Sequence, residues 1–198
     1  RLADRAETAR ALLADRIGPT PQLAAIEAAY WTSFTPETQA RHAAALARNG
    51  GQPIIVGSNV DAGRSTTEII VSAPDRLGLF ADLCGALSAA GANIVAAHLY
   101  EAGDDRVFDV FEVQDSRGQP LGSDHPHALE RIVADLRAAA AGGEGVKKPG
   151  KAPAASRRLA AFIISPTVLI DRTASADSTV IEVSGRDRPG LLYDIARE

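Results

Sequence analysis

The chain has no methionine, a single cysteine and a single tryptophan among its 198 residues. Translation starts at methionine and this sequence starts at Arg1, so it is expected to be a fragment or processed product of a longer chain. Cys84 alone can close no internal disulfide and build no thiolate metal site, which points to a reducing, cytoplasmic setting. No apolar run approaches the ~20 residues of a membrane span, and no signal-peptide pattern opens the chain. Aromatic residues are only 5%, so the cores should be built from small and aliphatic side chains. Lys and Arg total 21 against 25 Asp and Glu, a net charge of −4. That balance argues against nucleic acid or an anionic membrane as the main partner. What remains, 45% apolar and 23% charged, is ordinary globular composition.

Residues 1–50 read as a helical segment. Leu2, Ala6, Ala9, Leu13 and Ile17 recur at three- and four-residue steps until Gly18-Pro19. A second helix is expected over Pro21 to Trp31, and Thr35-Pro36-Glu37 opens a third with Thr as N-cap and Pro at its first position. Residues 51–65 read as a loop. From Thr66 the period changes: Glu68-Ile69-Ile70-Val71-Ser72 is a strand, and Leu79, Leu83, Ala86, Leu87 and Ala90 then repeat at helical spacing. Two strands, Asn93–Tyr100 and Arg106–Gln114, meet at a Gly103-Asp104 turn. A further amphipathic helix carries Leu129, Ile132, Val133 and Leu136. The order β-α-β-β-α is one strand short of a ferredoxin-like split βαβ unit. Thr167–Ile170 is expected to supply that strand, across a flexible Ala/Gly/Lys/Pro linker at 138–156. The domain so defined spans 66–171.

An internal repeat lies 112 residues further on. Asp75-Arg76-Leu77-Gly78-Leu79-Phe80-Ala81-Asp82 aligns with Asp187-Arg188-Pro189-Gly190-Leu191-Leu192-Tyr193-Asp194, five of the eight being identical. The strands before them align as well, Thr67–Val71 with Thr179–Val183. A second, truncated unit therefore occupies 178–198. In a ferredoxin-like sheet its first strand is central, so 179–183 is expected to pair with another sheet rather than leave two edges open.

Strand, Asp-Arg-x-Gly-Leu, helix, within an α+β ferredoxin-like βαββαβ unit, resembles the ACT domain. The nearer resemblance is to the C-terminal tandem ACT region of bacterial PII-protein uridylyltransferase/uridylyl-removing enzymes. It rests on Ser72–Phe80, Gly91–Val95, Asp109–Asp115, Val168–Asp171 and Glu182–Asp194, with Tyr30-Trp31 and Pro36–His42 upstream. The resemblance implies a regulatory region that binds an amino acid, glutamine in that family, through ACT–ACT pairing. It also implies control of the balance between uridylylation and deuridylylation of the nitrogen-signal protein PII. Rival readings are a stand-alone ACT amino-acid-binding or dimerisation module, and the regulatory end of another amino-acid-metabolism enzyme. Magnesium is implied for the complete enzyme and no cofactor for this region. The transferase pattern would need Gly-Ser followed by Asp-x-Asp, yet Gly57-Ser58 is followed only by Asp61. The hydrolase pattern would need His-Asp, and none of His42, His98, His125 or His127 precedes an Asp.

The residues support a ligand role on their own terms. Gly78 and Gly190 stand where a turn enters a helix, leaving the backbone open to close approach. First-turn amides are unsatisfied and partly positive, so they suit an α-carboxylate, while Asp75 or Asn93 would address the ammonium or side chain. The candidate ligand-binding residues are Asp75, Arg76, Leu77, Gly78, Leu79, Phe80, Asn93 and Ile94, and, in the second unit, Asp187, Arg188, Pro189, Gly190, Leu191 and Leu192. Cys84 is expected in the core, His125 and His127 at a solvated helix start, and Lys147, Lys148 and Lys151 in the linker.

Overall fold

The computed structural model describes residues 2–17, 21–48, 51–142, 167–171, 180–184, 188 and 190–197. Four helices come first: α1 (Leu2–Ile17), α2 (Pro21–Ala24), α3 (Tyr30–Ser33) and α4 (Pro36–Arg48). The helix expected over Pro21–Trp31 is thus two short ones. Thr35 does cap α4, its Oγ1 accepting from the Thr38 amide at 3.4 Å. Then follow β1 (Ile55–Asp61), β2 (Thr66–Pro74), α5 (Leu79–Ala89), β3 (Asn93–Glu101), β4 (Arg106–Gln114) and α6 (Pro126–Ala140). The second unit contributes β5 (Thr167–Asp171), β6 (Val180–Ser184) and α7 (Leu191–Arg197). Most of the expected linker lies outside the described residues, but its first three, 138–140, are the last of α6.

Strands β1 to β4 form one antiparallel sheet in the order β1-β2-β4-β3. This is the expected α+β, ferredoxin-like class with one correction. The place beside β2 belongs to β1, within the segment read as a loop, and not to Thr167–Ile170. Gly57-Ser58-Asn59 has poor strand propensity, and its strand form comes from pairing along β2, where tertiary context overrides intrinsic preference. Gly57 is needed there, because a Cβ would stand 3.0 Å from Ile70 Cγ1.

Thr167–Asp171 pairs instead with β6. Ile55 faces Ser72 across β1 and β2, and Thr167 faces Ser184 across β5 and β6. Adding the repeat offset of 112 to Ile55 and Ser72 gives Thr167 and Ser184, so the two hairpins share one register. The repeat therefore begins at β1 and is seen twice as β-β-α, the first copy continuing through β3, β4 and α6. Strand β6 does pair, as expected, but with its own hairpin partner rather than with another sheet. Val168, Leu169, Ile170, Val180, Ile181 and Val183 of this hairpin are exposed.

Strand β2 is buried on both faces, and its alternate residues enter two cores. Ile69, Val71 and Ala73 join Phe111 and Val113 beneath α5 and α6, where Leu83, Leu87 and Leu136 pack. Ile70 joins Phe108, Val110 and Tyr100 on the opposite face, covered by Leu23, Ile26, Tyr30, Trp31 and Leu46 of the helical segment. The helical segment is thus a layer of the same body and not a separate module. A polar seam sits inside that second core. Tyr30 Oη lies 2.9 Å from His42 Nδ1, and His42 Nε2 lies 3.2 Å from Glu68 Oε1. In the tautomer that carries its proton on Nε2, toward the carboxylate, Nδ1 accepts from the Tyr30 hydroxyl. Burial pushes the Glu68 carboxyl up, but His42 and Arg41 outweigh it and hold the group below its usual 4.5.

A carboxyl with a depressed pKa contributes stability above its unfolded value and loses it as pH falls through the folded one. Glu68→Gln should therefore lower stability at pH 7 by about 1–3 kcal/mol, the usual range for a charge-assisted buried bond. Denaturant melts should show the gap between wild type and variant closing as the pH drops below 4.5. A gap that stays constant with pH would assign Glu68 no ionic role.

Candidate functional site

The turn between β2 and α5 is built around Gly78, whose φ of 79° lies in the left-handed region. A Cβ at Gly78 would meet nothing within 4 Å, so backbone conformation rather than crowding requires glycine here. The Leu79 amide donates to the Arg76 carbonyl at 3.1 Å, and the Asp82 amide to that of Gly78 at 3.0 Å. Between them, the amides of Phe80 and Ala81 donate to no backbone carbonyl, and no side chain caps the helix. These are the free first-turn donors that the sequence led us to expect.

Arg76 is turned into the fold. Its Nη2 donates to Asp82 Oδ2 at 2.7 Å and to the Ala139 carbonyl at 2.6 Å, closing the C-terminus of α6. The second turn repeats the design. Gly190 has a φ of 79°, Leu191 donates to the Arg188 carbonyl at 3.1 Å, and Asp194 donates to that of Gly190 at 3.0 Å. Arg188 pairs with Asp194 at 2.5 Å, as Arg76 does with Asp82. Asp187 and Pro189 lie outside the described residues.

The candidates divide between two cavities. One, of about 620 Å³, opens over the first turn and is lined by Asp75, Arg76, Leu77, Gly78, Leu79 and Phe80, with Asp109, Tyr100, Glu101 and Glu27. The other, of about 500 Å³, lies among α5, β3 and α7, where Asn93 and Ile94 meet Gly190, Leu191 and Leu192. Phe80 lines both. The second cavity is mainly apolar, and beside it Tyr193 of α7 is buried in the core shared with Leu83 and Leu87. The two repeats are therefore packed turn-helix against turn-helix within one chain.

Sequence reasoning missed Asp109. It is the one acid in Val107-Phe108-Asp109-Val110-Phe111, and strand alternation places it on the same face as Phe111 and Val113, beneath the start of α5. That interruption of an apolar strand was the available signal. Asp109 is 2% exposed, and its Oδ1 has no hydrogen-bond partner. Burial, reinforced by the charge of Asp75, raises its pKa from 3.8 to about 7. Cys84 is buried in the core, and burial, with the Asp109 charge, pushes its thiol up to about 12. His125 and His127 are exposed, and His127 Nδ1 lies 3.2 Å from Glu130. Among the described residues no cluster of three or more His, Cys, Asp or Glu side chains is placed to hold a metal. Nor, among them, is any helix long and apolar enough to cross a membrane.

The sheet order, the glycine turn and the helix it launches define an ACT domain, and residues 67–121 match that family. Along nearly its whole length the chain is similar to one stretch of the bifunctional uridylyltransferase/uridylyl-removing enzymes. It is 43% identical over 177 residues to that enzyme from Phenylobacterium zucineum, covering 89% of this chain and 19% of the relative. With the Caulobacter vibrioides enzyme it shares 40% over 197 residues, 97% of this chain and 20% of the relative. With that of Azospirillum brasilense it shares 41% over 179 residues, 85% and 18%. The chain spans about a fifth of the length of these curated relatives. No solved structure matches it.

A carboxyl with a raised pKa contributes stability at low pH and loses it as pH rises through the folded value. Asp109→Asn should accordingly be more stable than wild type at pH 8, by on the order of a few kcal/mol. Thermal melts should show that advantage shrinking as pH falls below 7 and gone near 3.8. An Asn variant less stable than wild type at pH 8 would mean that the carboxylate has a partner in the fold.

Proposed function

We propose that this region is a regulatory amino-acid sensor within an enzyme of the uridylyltransferase/uridylyl-removing kind. Its ligand in this reading is glutamine, and occupancy sets the balance between uridylylation and deuridylylation of PII in the cytoplasm. The observation that carries the reading is the glycine turn with the free Phe80 and Ala81 amides, both residues lining a cavity of about 620 Å³ with room for an amino acid. Two aligned N–H donors at a helix start suit the two oxygens of an α-carboxylate. The similarity supports attachment to an enzyme over a stand-alone module, since it extends through the helical segment to 97% of the chain. The packing of α7 on α5 supports transmission between the two ACT units, because whatever shifts one turn-helix bears directly on the other.

Calorimetric titration should show L-glutamine binding to the wild-type chain and L-glutamine methyl ester, which lacks the carboxylate, failing to bind. Ala81→Pro removes one of the two free amides without removing a helix hydrogen bond, and proline is tolerated in a first turn. With an unchanged circular dichroism spectrum it should weaken glutamine binding roughly ten-fold, the effect of one charge-assisted hydrogen bond. Equal affinity of ester and free acid would overturn the carboxylate assignment, and no heat with glutamine would overturn the sensor reading.

A further inference from the structure

The turn cavity presents a charge problem that its helix start does not solve. Four carboxylates line it: Asp75 on the turn, Asp109 on β4, Glu101 on β3 and Glu27 ahead of α3. The one lining cation, Arg76, is already paired with Asp82 at 2.7 Å and bonded to the end of α6. A bare carboxylate brought to the Phe80 and Ala81 amides would therefore enter a field of its own sign. Glu27, Asp75 and Glu101 are exposed and solvated. Asp109 is not: it is buried at the base of the cavity, and its Oδ1 has no partner within the protein. Buried polar atoms are nearly always satisfied, so the orphan oxygen of a carboxyl group whose residue lines a cavity marks the position of a missing donor.

We infer that Asp109, assisted by Asp75, accepts the α-ammonium group of an amino acid whose carboxylate lies on the first-turn amides of α5. The assignment rests on the amino-acid reading above and gives that site its chemical class. Two free amides and one buried carboxylate, set in one cavity, complement a zwitterion. They select an α-amino acid over its deaminated analogue, which would bring negative charge without the ammonium to compensate it. Asp109 is further from the glycine turn in sequence than Asp75 or Asn93, yet it is the acid the fold has desolvated.

The titratable groups around Asp109 are Asp75 and Arg76 on the turn, Cys84 on α5, Tyr100 and Glu101 on β3, and Glu27. Burial, with the charge of Asp75, places its pKa at about 7. A carboxyl raised this far keeps part of its protonation at neutral pH, and an arriving ammonium must displace that proton. Titrating the wild-type chain with L-glutamine at pH 7, in phosphate and in Tris, reads this directly, because the two buffers differ in ionisation heat. The expected result is a net release of protons on binding, seen as a difference between the two apparent binding heats. Asp109→Asn, first shown to fold by circular dichroism and a cooperative melt, should release none and bind roughly ten- to a hundred-fold more weakly. Glutaramate, which is glutamine without its ammonium, should fail on the wild-type chain, a test that needs no variant. Glutaramate binding as tightly as glutamine, or Asp109→Asn binding glutamine unchanged, would overturn the role of Asp109 while leaving the sensor reading intact. Absence of any glutamine binding to the wild type would remove both.

Discussion

Strand β2 cannot be left bare on any side. Its neighbours β1 and β4 satisfy its backbone on both edges, and its side chains alternate into two separate apolar cores. A strand of this kind demands a helical layer on each face. The chain meets the demand from two directions, with α5 and α6 from downstream and with α1 to α4 from upstream. The domain is therefore defined less by the ferredoxin-like pattern than by the need to cover both faces of one strand. The Tyr30–His42–Glu68 seam is a consequence of the same constraint. Glu68 sits on the outward face of β2, where solvent is excluded once the helical segment is in place, so its charge has to be met from that segment.

Much of this was legible in the residues because it is local. Helical spacing located α1, α5 and α6, the Thr-Pro-Glu start located α4, a β-branched run located β2, the Gly103-Asp104 turn located β3 and β4, and the Asp-Arg-x-Gly-Leu repeat located both glycine turns. The part that was not legible depends on long-range pairing. Strand β1 is Ile-Val-Gly-Ser-Asn-Val-Asp, and only its first two residues are buried. Nothing in that run outweighs turn chemistry until β2 is beside it. The linker reading at 138–140 failed for a related reason: Ala138-Ala139-Ala140 resembles flexible composition, but Ala139 and Ala140 are buried against the core. At the site, sequence located the turn and its free amides but assigned Arg76 to the ligand. In the structure that side chain closes the end of α6. Asp109 escaped notice because a lone acid inside a strand carries no motif and acquires meaning only when burial strips it of water.

The repeat also takes on a sharper meaning. Two hairpins with the same register, two glycines with the same φ and two Arg–Asp pairs at the same turn show that the duplicated stretch is β-β-α and starts with the hairpin. The second turn-helix packs against the first and completes the apolar cavity beside β3, so neither copy has an independent surface at that point.

Consecutive residues of a strand face opposite ways, and β4 serves two compartments by that rule. Asp109 looks into the turn cavity, while Phe108 and Val110 on either side of it look into the core of the helical segment, where the Phe108 ring stands edge-on to Tyr30 at 5.5 Å. The turn cavity and the core of the helical segment meet at this strand, and Tyr100 of that core also lines the cavity. One backbone thus carries a cavity carboxyl and two core side chains, so the strand cannot shift for one without shifting for the other.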